Sequence, residues 1–210
     1  MVAIINYGSG NLSVIQKVFK SLSVDARIVD NPSELINYDR IILPGVGAYD
    51  VTMRDLNATG FREALERNVI EKGKPCLGIC VGMQILGMSG DEGNEKGLGW
   101  IEGNVMKLPV NKIDDNYVGP ILPHMGWNSI NIKNELGLFH NVSESQGFYF
   151  LHGYYFNCKN EKDIAAYTNY LGFSFPCVIN KENIFGVQFH PEKSHKNGAT
   201  IFENFLKYKN

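Results

Sequence analysis

Cysteine is scarce in this chain, and basic charge is not in excess. Four cysteines (Cys76, Cys80, Cys158 and Cys177) are spread over 210 residues, and no two form a C-x-x-C pair. That spacing excludes a disulfide scaffold and points to a reduced, cytoplasmic setting. Twenty Lys and Arg against 22 Asp and Glu leave a net charge of −2. The footprint of a nucleic-acid binder, or of attachment to an anionic membrane, is therefore missing. No apolar run approaches the roughly 18 residues that span a bilayer. The opening "MVAIINYGSGN" has no basic segment ahead of a hydrophobic one, so no signal peptide is expected. Repeats and low-complexity tracts are absent too. The length suffices for one well-buried core, and one domain over residues 1–210 is the expectation.

What is there alternates. "VAII" (2–5), "ARIVD" (26–30), "RIILPG" (40–45) and "KPCLGI" (74–79) read as short buried strands. Between them, Val14, Ile15, Val18, Phe19 and Leu22 predict an amphipathic helix, Pro32 opens a short one, and Phe61, Leu65, Val69 and Ile70 predict another over 60–71. Strands alternating with helices imply βαβ units and a mostly parallel central sheet flanked by helices, an α/β fold of the flavodoxin-like kind. Past Gly97 the segments "GNVMKLP", "MGWNSINIK", "GFYFLHGYYF" and "IFGVQFH" are β-branched or aromatic, and are expected as antiparallel or mixed strands added to the same sheet. Ile201, Phe202, Phe205 and Leu206 form the stripe of a closing helix over 197–208.

Within that frame, "PCLGICVGMQIL" (75–86) places Cys80 between Gly78 and Gly82, where a strand stops and a helix begins. G-x-C-x-G is the thiol form of the nucleophile elbow, in which a sharp strand-to-helix turn lifts the side chain above the sheet. The following helix offers free N–H groups and a positive end to the sulfur. The N–H of Val81 is placed for a developing oxyanion. "GVQFHPE" (186–192) supplies a base, His190, and a carboxylate, Glu192, to orient it. Cys80, His190 and Glu192 thus read as nucleophile, base and orienter. In "LPGVGAYD" (43–50), Gly47 or the Val46–Gly47 peptide is a candidate second oxyanion donor and, because glycine flips cheaply, a candidate gate. This chemistry requires neither cofactor nor metal.

The elbow, the P-G-V-G loop and the H-P-E run, in this order, resemble the class I (triad) glutamine amidotransferases. "INYGSGNL", "LPGVGAYD", "LGICVGMQIL", "GLGW", "PHMGWN", "FYFLHGYYF" and "VQFHPEKS" extend the resemblance along the chain. They bring it closest to the glutaminase subunits that serve imidazole glycerol phosphate synthase in histidine biosynthesis. The resemblance implies hydrolysis of L-glutamine through a cysteinyl thioester, with ammonia passed to a (β/α)8-barrel synthase subunit in a heterodimer. It implies that Gln84 and Glu92 hold the substrate's α-amino and carboxylate ends, with the backbone of His152, Gly153 and Tyr154. Asn11, Trp127, Asn128 and Tyr149 match the partner-interface motifs. Val81 replaces a usual Leu, Asn6 a common Asp, and Gly153 a Ser or Thr. Paralogues of this branch supply sugar amidotransferases of surface polysaccharide synthesis, which keeps a second acceptor open.

Three other readings compete. "YGSGNLS" (7–13), with Asp30 about 20 residues on, matches only part of a dinucleotide-binding fingerprint, since Ser13 stands where its third glycine belongs. A cysteine peptidase could share the elbow, although "GMQ" and H-P-E argue against it. A metal site from Cys76, Cys80 and histidines would require thiols on both sides of a strand–turn boundary.

Overall fold

The computed structural model describes residues 1–109 and 122–209. In chain order the strands are β1 (Val2–Ile5), β2 (Ala26–Val29), β3 (Arg40–Leu43), β4 (Cys76–Ile79), β5 (Ser89–Gly90), β6 (Gly103–Lys107) and β7 (His124–Asn128). There follow β8 (Asn131–Ile132), β9 (Phe148–His152), β10 (Tyr154–Cys158), β11 (Ile164–Tyr170), β12 (Phe173–Lys181) and β13 (Ile184–Val187). The α-helices are α1 (Leu12–Ser21), α2 (Tyr49–Ala58), α3 (Phe61–Leu65), α4 (Val81–Gln84) and α5 (His195–Lys207). Among the described residues no helix is long and apolar enough to cross a membrane.

An eight-stranded mixed sheet, ordered β2-β1-β3-β4-β13-β12-β11-β8, forms the centre and is flanked by helices. From β2 to β13 neighbours run parallel; from β13 to β8 they run antiparallel. β1, β4 and β13 are apolar along their length, and β3 is apolar past Arg40, because helices cover both faces of a parallel sheet. On one side α1 meets α5 through Phe19 and Phe202, whose ring centroids lie 4.7 Å apart.

The later strands do not all join this sheet. β5, β6 and β10 form a separate three-stranded sheet, and β7 pairs only with β9 in a two-stranded ribbon. "FYFLHGYYF" therefore changes sheets at Gly153. The helix expected over 60–71 begins as α3 and widens into a π-helical turn over Glu66–Glu71, which buries Phe61, Leu65 and Val69 but turns Ile70 outward. In α1 the same holds for Val14, which is exposed while Ile15 and Phe19 are buried. Helix α2 is not among the expected helices, although its buried Tyr49, Met53 and Leu56 stand at i, i+4 and i+7, the spacing of a helical stripe.

The elbow depends on three glycines. A Cβ on Gly82 would lie 2.0 Å from the Leu43 carbonyl oxygen, one on Gly78 2.5 Å from the Gly82 oxygen, and one on Gly45 2.5 Å from the Gly82 nitrogen. No backbone can yield that far, so α4 sits directly on the ends of β3 and β4. Gly82→Ala is expected to cost about 3 kcal/mol by overpacking, read as a lowered urea midpoint; an unchanged midpoint would contradict the crossing.

Candidate active site

Three adjacent parallel strands deliver the pieces. β3 leads into the Pro44–Gly47 loop, β4 into Cys80, and β13, hydrogen-bonded to β4, into His190. The Cys80 N–H donates to the Val187 carbonyl at 2.8 Å, locking the turn to the last residue of β13. Cys80 itself has φ 55° and ψ −111°, a strained conformation for a residue with a Cβ. Helix α4 is a single turn, shorter than the sequence suggests, so little macrodipole reaches the sulfur. The electrostatics come instead from the imidazole.

His190 Nδ1 lies 2.9 Å from Glu192 Oε1, and the ring also hydrogen-bonds the Cys80 thiol. Burial pulls the imidazole pKa down, but the bonds to Cys80 and Glu192 outweigh it and raise the value to about 10. Asn11 Nδ2 reaches the same carboxylate oxygen at 3.5 Å. Glu192 Oε2 is buried without a hydrogen-bond partner among the described residues. The other cysteines are unsuited to nucleophilic work. Burial pushes the Cys76 thiol up to about 12, Cys158 to about 11, and Cys177 well above its ordinary range.

Cys80 is only 4% exposed, yet with His190 it faces a cavity of about 210 Å³. The same cavity is lined by Val46, Gly47 and Val81, and by Gln84, Glu92, His152, Gly153 and Tyr154. Two of these side chains are also engaged with the protein. Gln84 Nε2 donates to the Tyr154 carbonyl and to Gln188 Oε1, both at 3.1 Å, and Glu92 Oε2 accepts the Tyr49 N–H at 2.8 Å, at the start of α2.

Sequence reasoning missed several neighbours. Gln188 Nε2 lies 3.7 Å from Cys80 Sγ; it stands two residues before His190, a spacing that could have flagged it. Leu151 and Lys193 complete the cavity wall. Ser9 holds the loop: its hydroxyl accepts the Val46 N–H at 2.9 Å and donates to the Val46 carbonyl at 2.7 Å. The "YGSGN" turn is thus spent internally. The Tyr7 hydroxyl bonds the Pro44 carbonyl, Gly10 packs on Pro44 where a Cβ would come within 2.7 Å, and Asp30 accepts from Asn6 at 2.6 Å. Those contacts account for the glycines and the Asp without a dinucleotide.

The β7–β9 ribbon has two faces. Trp127 pairs with Tyr149 on the outer one, beside Met125 and Leu151; Trp127 is 49% exposed and stacks on His195. Lys193 Nζ lies 5.4 Å from the Tyr149 ring centroid. Asn128 turns the other way, its amide donating to the Asn169 carbonyl.

The family model "Glutamine amidotransferase class-I" matches residues 3–208. The chain is 44% identical to the Leptospira borgpetersenii protein named imidazole glycerol phosphate synthase subunit HisH, over 98% of each chain. It is 41% identical to the Methanococcus maripaludis subunit HisH 2, over 99% of each. Among solved structures, PurLQS from Thermotoga maritima superposes with a TM-score of 0.72 at 19% identity, covering 99% of this chain and 97% of that one. That last likeness concerns the fold.

The raised His190 pKa has a consequence for stability. The charged ring's contribution is full below the unfolded value of about 6.5 and is lost as pH rises toward about 10. Glu192→Gln is expected to lower the ring's titration midpoint and to shrink that alkaline loss. NMR titration of His190 with urea midpoints across the window checks this; a parent ring that deprotonates near its unfolded value would contradict it.

Proposed function

We propose, from the premise that this chain belongs to the class-I glutamine amidotransferase family, that its cavity binds L-glutamine and hydrolyses the side-chain amide to glutamate and ammonia. One observation carries the reading: a single buried imidazole joins Cys80 to Glu192 at the floor of the cavity.

The steps follow from the groups present. With the Cys80 proton passed to His190, the sulfur attacks the carboxamide carbon, and the carbonyl electrons move to oxygen, where the Val81 N–H and the Val46–Gly47 peptide stabilise the charge. His190 gives its proton to the nitrogen as the C–N bond breaks, releasing ammonia and leaving a thioester. His190 then takes a proton from water, hydroxide adds to the thioester, and glutamate departs as the C–S bond breaks. Glu192 keeps the ring oriented and its charge paired throughout. Gln84, Glu92 and the backbone of His152–Tyr154 hold the amino-acid end of the substrate.

The glutaminase is one subunit of imidazole glycerol phosphate synthase, as the relatives' names indicate. It works in complex with the cyclase subunit, a (β/α)8 barrel that consumes the ammonia. The outer face of the β7–β9 ribbon suits that partner, because Trp127 and Tyr149 present amphipathic aromatic surface close to Lys193, which lines the cavity. Ser9 is the latch of the Val46–Gly47 gate, since its hydroxyl engages both polar backbone atoms of Val46.

Glutamate release by the chain mixed with its cyclase subunit tests the reading. Cys80→Ala is expected to lose at least about 10³-fold in kcat; activity surviving that change would overturn it. Ser9→Ala is expected to raise turnover without the partner several-fold, measured by the same assay. Unchanged basal turnover would locate the gate elsewhere.

A further inference from the structure

Two imidazoles, that of His152 in the cavity wall and that of His124 beyond it, have no part in the chemistry above, yet their hydrogen bonds form one directed chain. His124 and His152 face each other as a cross-strand pair of the β7–β9 ribbon. His124 Nδ1 lies 3.0 Å from His152 Nε2, His152 Nδ1 lies 2.8 Å from the Tyr154 carbonyl oxygen, and His124 Nε2 lies 3.2 Å from Asn128 Nδ2.

The proton positions follow from the two ends. A carbonyl only accepts, so His152 carries its hydrogen on Nδ1 and its Nε2 must accept. His124 then donates from Nδ1, and its Nε2 accepts from the Asn128 amide. At the far end, the Asn128 amide orientation is fixed independently, since its nitrogen donates to the Asn169 carbonyl at 2.8 Å and its oxygen accepts the Ser129 N–H at 2.9 Å. Both rings are buried, and burial lowers the pKa of His124 to about 4 and of His152 to about 3, so each is neutral with one donor and one acceptor. His124 is held flat between Phe150 and Tyr170, with ring centroids 4.7 and 4.1 Å away.

The end point of the chain is the cavity wall. The Tyr154 carbonyl oxygen, which accepts from His152, also accepts from Gln84, whose amide is bonded to Gln188, which in turn approaches Cys80 Sγ. The anchored carbonyl lies just past Gly153, where the chain leaves the ribbon for the three-stranded sheet and the regular ladder is broken. The other end is Asn128, next to Trp127 on the strand whose outer face suits the partner.

We infer that His124 and His152 are positioning residues for glutamine. They form a neutral two-imidazole relay that fixes the Gly153–Tyr154 wall of the cavity and ties it mechanically to the ribbon strand bearing Trp127. The inference rests on the glutaminase reading. His124 acts only through His152, so its removal should reach the substrate while leaving Cys80, His190 and Glu192 untouched.

His124→Phe keeps the stacked ring and deletes both hydrogen bonds. In the complex with the cyclase subunit it is expected to raise the KM for glutamine about tenfold with kcat within about twofold, as expected when a buried acceptor loses its donor. His152 Nε2 is then left buried without its donor, while the Tyr154 carbonyl still holds the hydrogen on Nδ1. A folded variant with the parent's KM would overturn the relay. Should the variant fail to fold, ¹⁵N NMR of the parent decides: both rings must show the Nδ1–H tautomer at neutral pH, and an Nε2–H form on either would overturn it. A parent without glutaminase activity would sink the functional reading and this inference with it, whereas an active parent with an unaffected variant sinks this inference alone.

Discussion

At Gly82 there is room for a hydrogen atom and nothing larger. The first turn of α4 rests on the Leu43 carbonyl, and the glycines at 45, 78 and 82 are the condition for that contact. Everything at the site follows from it. Because the turn sits down on the sheet, Cys80 is forced to a positive φ and its side chain stands up into the cavity. Because β3 and β13 lie on either side of β4, the Pro44–Gly47 loop and His190 arrive at the same height as the sulfur. The strain at Cys80, of the order of 1–3 kcal/mol, is held by the parallel ladder, which includes the N–H of Cys80 itself.

Four imidazole and carboxylate groups near the cavity show how environment assigns protonation. His190 meets a thiol and a carboxylate, and its charged form prevails despite burial. His152 and His124 meet each other, a carbonyl and an amide, with no anion among the described residues to balance a proton, and both stay neutral. The same side chain thus serves as proton carrier in one place and as fixed hydrogen-bond linker a few residues away in space. The pairing of a charged buried ring with Glu192 holds that proton beside Cys80.

Much of this was legible in the chain. Alternation of short apolar runs with helical stripes marked the parallel half of the sheet, because strands buried on both faces cannot be polar. G-x-C-x-G and H-P-E marked Cys80, His190 and Glu192, since turns of that sharpness call for glycine and proline at fixed offsets. Less was legible past Gly97. β6, β7, β9 and β10 are β-branched or aromatic just as β12 and β13 are, and composition of that kind marks a strand without telling which sheet it joins. The stripe of α2 at Tyr49, Met53 and Leu56 was there to be read behind the glycine loop, and α4 was shorter than its apolar continuation suggested, since residues beyond Gln84 are buried for reasons of packing and not of helicity.

Local events were written in the order of residues: where strands stop, where a thiol must be lifted, and which residue types flank the turn. Steric limits within a few neighbouring residues decide these. The folded chain alone settled which distant groups share a proton or a hydrogen bond: Ser9 on Val46, Asn11 on Glu192, Gln188 beside Cys80, His124 on His152. Strand order is set by burial of whole faces summed over the sheet, and no local pattern encodes that the last strand of the chain should slide in beside the fourth.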